Sequence, residues 1–173
     1  MRIIGGEFRS RRIRTLRGLD VRPTPDRLRE ALFNVLAARI EGCTFLDAYA
    51  GCGSVGLEAL SRGAARVIFV EYKRSGAAMI RENLRALGVT EGFEIRNAKA
   101  AGLLARLTAD IVFLDPPYDV TDEYARSLAA LALNPPPLAI VQHAARFELA
   151  DGYGPLGRTR ILRQGDNALS FYE

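Results

Sequence analysis

The feature that most constrains this chain is a glycine-rich junction between a short apolar strand and a helix. Thr44-Phe45-Leu46-Asp47 runs directly into Ala48-Tyr49-Ala50-Gly51-Cys52-Gly53-Ser54-Val55-Gly56, so Gly51, Gly53 and Gly56 keep a G-x-G-x-x-G spacing. Glycine at these places permits a tight strand-to-helix turn and lets a ligand touch bare backbone. Glu71 closes the next apolar run, where a carboxylate can accept hydrogen bonds from both hydroxyls of a ribose. Strand, glycines, helix and spaced acid together predict a site for a nucleoside-containing cofactor.

Asp47 narrows the choice. A dinucleotide rests its pyrophosphate on such a loop and on the helix N-terminus, and a carboxylate just before the glycines crowds it. S-adenosylmethionine carries no phosphate; its sulfonium and amino end are cationic, and Asp47 suits them. The expected cofactor is therefore S-adenosylmethionine, held by Asp47, Gly51, Cys52, Gly53 and Glu71, with Cys52 a small packed residue beside it.

From Thr44 onward apolar strands alternate with helical patterns. Strands are predicted at 44–48, 66–71, 92–96, 110–114 and 138–142, and helices at 54–62, 74–87, 99–106 and 121–132. An earlier helix opens at Thr24 or Pro25-Asp26 with Leu28, Leu32, Val35 and Leu36 as its apolar stripe. Residues 158–163 and 168–172 read as a closing antiparallel pair. Residues 2–17 alternate loosely around Gly5-Gly6, which predicts a small hairpin. The expected architecture is a doubly wound α/β fold, mostly parallel, with a closing antiparallel strand and a small N-terminal β-hairpin extension. Residues 1–22 are expected to form that basic extension and 23–173 a single globular unit.

The strand Ala109-Asp110-Ile111-Val112-Phe113-Leu114 delivers Asp115-Pro116-Pro117-Tyr118 to the carboxyl edge of the sheet, the usual place for chemistry in such folds. A planar exocyclic amine offers two N–H donors. The Asp115 carboxylate and the Pro116 carbonyl can accept both, with the prolines stiffening the carbonyl and removing competing donors. Tyr118 offers a face on which an extruded base can stack. The chemistry expected of Asp115, Pro116, Pro117 and Tyr118 is in-line methyl transfer to that amine, with Asp115 also expected to border the cofactor. Its delocalised lone pair is freed by hydrogen bonding and its developing positive charge is stabilised electrostatically.

Charge points to the substrate. The net charge is +4, yet residues 1–40 hold ten arginines against four acids (Glu7, Asp20, Asp26, Glu30), and the rest holds fourteen basic and sixteen acidic groups. The excess is densest at Arg9, Arg11, Arg12, Arg14 and Arg17. Guanidinium groups bind phosphate oxygens bidentately and release counterions, so these five are candidate nucleic-acid contacts. A charged, solvated edge is the alternative.

Met1-Arg2-Ile3-Ile4-Gly5-Gly6-Glu7-Phe8-Arg9-Ser10-Arg11 resembles the start of the bacterial 16S ribosomal RNA (guanine(966)-N(2))-methyltransferase family. So do Val21-Arg22-Pro23-Thr24-Pro25-Asp26-Arg27-Leu28-Arg29-Glu30-Ala31-Leu32-Phe33-Asn34, Gly56-Leu57-Glu58-Ala59-Leu60-Ser61-Arg62-Gly63-Ala64 and Arg81-Glu82-Asn83-Leu84. The likeness covers most of residues 1–118. It implies a Rossmann-like methyltransferase sheet and guanine N2 of 16S rRNA as the target, within an assembled or partly assembled small subunit. It also implies that residues 22–26 lie beside the methionine end of the cofactor. Thr24 is then a cofactor contact, though its hydroxyl also suits a helix cap. The family's third strand usually ends in Asp-Ala, the acid accepting from the adenine amino group; here the pair is Asn97-Ala98, and asparagine can still accept. Tyr49 and Cys52 stand where phenylalanine and serine are commoner.

The catalytic tetrapeptide suits adenine N6 of DNA or RNA as well as guanine N2, so an adenine-N6 methyltransferase is the rival. A non-enzymatic nucleic-acid-binding protein with a degenerate cofactor pocket is a further alternative, and a nicotinamide oxidoreductase is disfavoured by Asp47 and Asp115-Pro116-Pro117-Tyr118. Two cysteines, Cys43 and Cys52, give neither a disulfide framework nor a four-ligand zinc site. With no apolar run of about 20 residues and no signal-peptide layout, the expected setting is cytoplasmic, without membrane or metal. His143, the only histidine, has no catalytic partners nearby in sequence and is expected at the surface or in support.

Overall fold

The computed structural model describes residues 1–15, 24–117 and 120–173. Helix α1 (Asp26–Leu36) precedes β1 (Thr44–Ala48), α2 (Ser54–Ser61), β2 (Arg66–Val70), α3 (Arg74–Leu87) and β3 (Phe93–Arg96). Then come β4 (Ile111–Leu114), α4 (Thr121–Ala132), β5 (Leu138–Ala144), β6 (Gly152–Tyr153), β7 (Leu156–Gln164) and β8 (Asn167–Tyr172). The strands form one sheet in the order β3-β2-β1-β4-β5-β8-β7-β6. The first five are parallel, and β8 and β7 close the edge antiparallel. The order reverses between β1 and β4, which opens a crevice at the carboxyl ends of these two strands.

Strand alternation sorts the core into two layers. Phe45, Val67, Phe69, Ile111, Phe113 and Ile140 face α1, α2 and α3. Leu46, Ile68, Val70, Val112, Leu114 and Val141 face α4. Both faces are covered, and the strands accordingly read as continuous apolar runs.

Three expectations are modified. The helix predicted at 99–106 is only a 3-10 turn at Ala100–Gly102, followed by a further turn. Gly102 lies inside that short pattern and weakens it as a helix. The hairpin predicted at 2–17 is closed by a single bridge, Arg2 to Arg12, with turns between; residues 16 and 17 lie outside the described residues. Thr24 does not cap α1: the cap position is Pro25, with no side-chain bond.

The N-terminal arm lies against α2 and α3. Ile3 and Ile13 enter the core beside Leu28 and Leu32. Glu58 of α2, fully buried, accepts the backbone N–H of Ile4 and of Gly5, each at 2.8 Å. Arg62 Nε donates to the same carboxylate at 2.8 Å, and the buried Arg29 guanidinium lies 3.6 Å away. Among the described residues no helix is long and apolar enough to cross a membrane.

Candidate active site at the carboxyl edge

The period of two that sorts the core also gathers the polar groups. Asp47 continues the face of Phe45, Glu71 that of Phe69, Asp115 that of Phe113 and Gln142 that of Ile140. All four project from one edge of the sheet on the side of α1–α3.

Gly51 and Gly53 adopt φ of 59° and 82°, open to glycine at little cost. Gly56 serves packing instead: a Cβ there would lie 2.3 Å from the Phe69 ring, so only glycine lets α2 sit this close to β2. The buried Asp47 accepts the Gly56 N–H at 2.8 Å and thereby fixes the first turn of α2. Tyr49, at φ 68°, is anchored through its hydroxyl to Glu123 and Ser127 of α4, both at 2.7 Å, which gives the hydroxyl absent from phenylalanine a partner. Cys52 is buried, and burial pushes its thiol up, so it stays neutral.

Glu71, also buried, accepts from Gly51 N–H at 2.8 Å and from Lys73 N–H at 2.7 Å. Each oxygen keeps a lone pair for a further donor. Asn97 donates its amide N–H groups to the carbonyls of Glu71 and Tyr72, at 2.8 and 3.0 Å. Its amide oxygen has no partner among the described residues. An aspartate cannot donate those two bonds, so asparagine here ties β3 to the end of β2 while still offering an acceptor. Ala98 follows with its N–H on the Arg96 carbonyl.

Asp115 is partly buried, with Pro116 buried and Pro117 exposed after it; Tyr118 lies outside the described residues. Burial, and next the Asp47 charge, push Asp115 up to about 8, against a hydrogen bond with Thr24 that pulls it down. Burial also raises Asp47, to about 7, with the Gly56 N–H opposing and Glu71 reinforcing it. The buried Thr24 Oγ1 also lies 3.1 Å from Gln142 Oε1, so its single proton is shared between Asp115 and Gln142 and joins the entry of α1 to β5. Gln142 was missed in the sequence. Its signal was a polar residue ending the apolar run Leu138-Ala139-Ile140-Val141, one step beyond the Leu114–Val141 pair.

Among the described residues, Asp47, Glu71 and Asp115 have no ion-pair partner. Three acids sharing one crevice without a cation form the electrostatic complement of a cationic ligand, and repel a pyrophosphate. The donor set therefore fits the sulfonium and amino groups of S-adenosylmethionine, with Glu71 available to a ribose. His143 is buried, bonded to Ser170 Oγ at 2.9 Å and in ring contact with Phe147. The surface expectation for it is thereby corrected, and its supporting role is structural.

Of the arm arginines, Arg11 donates to the Ala86 carbonyl at 2.5 Å, and Arg14 pairs with Glu82 at 3.1 Å. Arg9 and Arg12 are exposed, and their guanidinium groups have no hydrogen-bond partner among the described residues. Arg17 lies outside them.

A family model described as "Conserved hypothetical protein 95" matches residues 1–173. A Bacillus subtilis (strain 168) relative, provisionally named an rRNA methyltransferase, is 30% identical over 183 residues, covering 100% of this chain and 98% of its own. The Haemophilus influenzae protein named ribosomal RNA small subunit methyltransferase D is 40% identical over 123 residues, or 68% of this chain. That match spans 64% of the Haemophilus protein's length. The structure of a hypothetical protein from Thermus thermophilus superposes with a TM-score of 0.83 at 30% identity, covering 100% of this chain and 99% of that one.

Proposed function

The chain belongs to the family described as "Conserved hypothetical protein 95", and from that premise we propose that it methylates the exocyclic N2 amine of a guanine in 16S rRNA. The reading rests on one observation above the others: Asp47, Glu71 and Asp115, three acids with no ion-pair partner among the described residues, line the crevice beside a glycine loop and the Asp115-Pro116-Pro117 segment. The names of the relatives, with rRNA and the small subunit in them, support the substrate class.

S-adenosylmethionine supplies an electrophilic methyl group. In this reading Asp47 holds its cationic amino end, Glu71 the ribose hydroxyls and Asn97 Oδ1 the adenine amine, with Ala98, Cys52 and the glycines packing against it. Asp115 and the Pro116 carbonyl accept the two N–H groups of the target amine, orienting its lone pair and stabilising the charge that develops on nitrogen. Asp115 or solvent takes the surplus proton. Tyr118 stacks on the base. Arg9, Arg11, Arg12, Arg14 and Arg17 face the RNA phosphates, and the substrate form is an assembled or partly assembled small subunit in the cytoplasm.

The deciding experiment is methyl transfer to small ribosomal subunits from cells lacking this protein, followed by nucleoside analysis. N2-methylguanosine is the expected product. N6-methyladenosine would transfer the mechanism to the adenine rival, and no label in subunits, naked RNA or DNA would sink the reading.

The raised carboxyls make a pH prediction. The unfolded chain releases these protons near pH 4, whereas the folded protein keeps them to about 7 at Asp47 and about 8 at Asp115. The folded state binds more protons across that window, so stability of the free protein falls as pH rises from about 4 to about 8, then levels. A cationic ligand favours the ionised forms, so its binding releases protons and tightens with pH up to about 8. Calorimetric titration of S-adenosylhomocysteine, whose amino end is cationic, in two buffers of different ionisation enthalpy measures that release. Asp47→Asn should diminish it, and an undiminished release would remove Asp47 from the ligand's surroundings.

For the arm, Arg9 and Arg12 are expected to contribute more to RNA binding than Arg11 and Arg14, whose guanidiniums already have protein partners. Arg9→Ala with Arg12→Ala should lower the slope of log K against log salt by roughly 1.4 on single-stranded rRNA, about 0.7 per phosphate contact. An unchanged slope would assign both to solubility.

A further inference from the structure

Asn83 has no part in the chemistry above, yet its setting is unusual. It lies on the buried face of α3 between Ile80 and Leu87, 1% exposed, where an apolar residue packs more cheaply and has higher helix propensity. Every bond its amide makes leaves the helix. Its Oδ1 accepts the Arg14 N–H at 2.8 Å, and its Nδ2 donates to the Arg14 carbonyl at 3.0 Å, so one side chain pairs with both backbone groups of that residue. The second N–H of Nδ2 donates to the Cys52 carbonyl, also at 3.0 Å, inside the glycine loop. Donor and acceptor neighbours on both sides fix which end of the amide is which.

Arg14 belongs to the basic arm and Cys52 to the loop between Gly51 and Gly53. We propose that Asn83 is a positioning residue that couples the methyl-donor site to the RNA-binding arm, so that the two ligands bind cooperatively. The inference rests on the RNA-methyltransferase reading. Its physical basis is that both segments are held through one rigid group. A ligand that orders the loop fixes the Asn83 amide and removes part of the cost of ordering the arm. By linkage the effect is reciprocal. Neither Arg14 nor Cys52 needs a distinctive side chain for this, because the contacts are to backbone.

The test measures affinity of the full-length protein for radiolabelled S-adenosylhomocysteine with and without saturating small subunits, and for subunits with and without S-adenosylhomocysteine. The wild type should bind each ligand roughly fivefold or more tightly in the presence of the other. Asn83→Ala, and Asn83→Asp, which keeps the acceptor for Arg14 but loses both donors, should bring that factor close to one. Hydrogen exchange on the wild type needs no variant: S-adenosylhomocysteine alone should slow exchange of the Arg14 amide. A wild-type factor of one, a factor unchanged in both variants, or an Arg14 amide indifferent to S-adenosylhomocysteine would each overturn the coupling. Failure of subunits to bind at all would instead strike the RNA reading, and the exchange measurement would still decide whether loop and arm are linked.

Discussion

Asp115→Ala should reduce turnover at least about a hundredfold, the scale on which removing one preorganised group facing developing charge is felt. Affinity for S-adenosylhomocysteine should stay within about threefold, a difference of roughly 0.7 kcal/mol. The two effects separate because Asp115 lies at the end of β4, while the loop is held by Asp47, Glu71 and Asn83, none of which bonds to it. Single-turnover kinetics beside equilibrium binding measures both quantities. A large loss of ligand affinity with little loss of rate would make Asp115 a binding residue and leave the amine without its principal acceptor.

The largest effect on stability is expected at Glu58→Ala. Its carboxylate is fully buried and holds two backbone N–H groups of the arm as well as Arg62 and Arg29. Arg29 is itself fully buried, and burial already pulls its guanidinium below the ordinary value. Breaking such a cluster strips Arg29 of its buried carboxylate, leaving only the half-exposed Asp26 at 3.1 Å, and orphans two backbone N–H groups, at a cost of about 3–5 kcal/mol. For a chain of this size the melting temperature should fall by roughly 10 °C. Combining Glu58→Ala with Arg29→Met should cost less than the two changes summed, because the desolvated guanidinium goes together with its buried carboxylate. Strict additivity, read by thermal unfolding of all three variants, would show that Glu58 and Arg29 do not interact. The arm should loosen in Glu58→Ala, with faster amide exchange at Ile4 and Gly5.

Much of the scaffold is legible in the sequence, and for local reasons. The strand, glycine loop and helix at 44–61 carry their own punctuation, and so does the apolar strand that ends in Asp115-Pro116-Pro117. Helices α3 and α4 were readable from periodicity over 14 and 12 residues. The short segment after β3 was not, because three to eight residues interrupted by Gly102 do not hold a helical pattern against the turn it prefers. The two-residue β6 is too short for any period to register.

The sequence by itself determined the alternation of strands and helices, the glycine loop, the acids at the strand ends and the weight of positive charge in the first forty residues. Each of these is written in neighbouring residues, through chain stiffness, side-chain period or composition. Only the tertiary structure decided what the buried polar groups do. Thr24 meets Gln142 across 118 residues, Asn83 meets Arg14 across 69 and Cys52 across 31, and Glu58 meets Ile4 across 54. A buried donor or acceptor must find a partner wherever the fold brings one, and that choice follows from strand order and helix packing, with no trace in the spacing along the chain. The same holds for Arg11 and Arg14, alike in sequence to Arg9 and Arg12 but bound to α3 once the arm is folded against it.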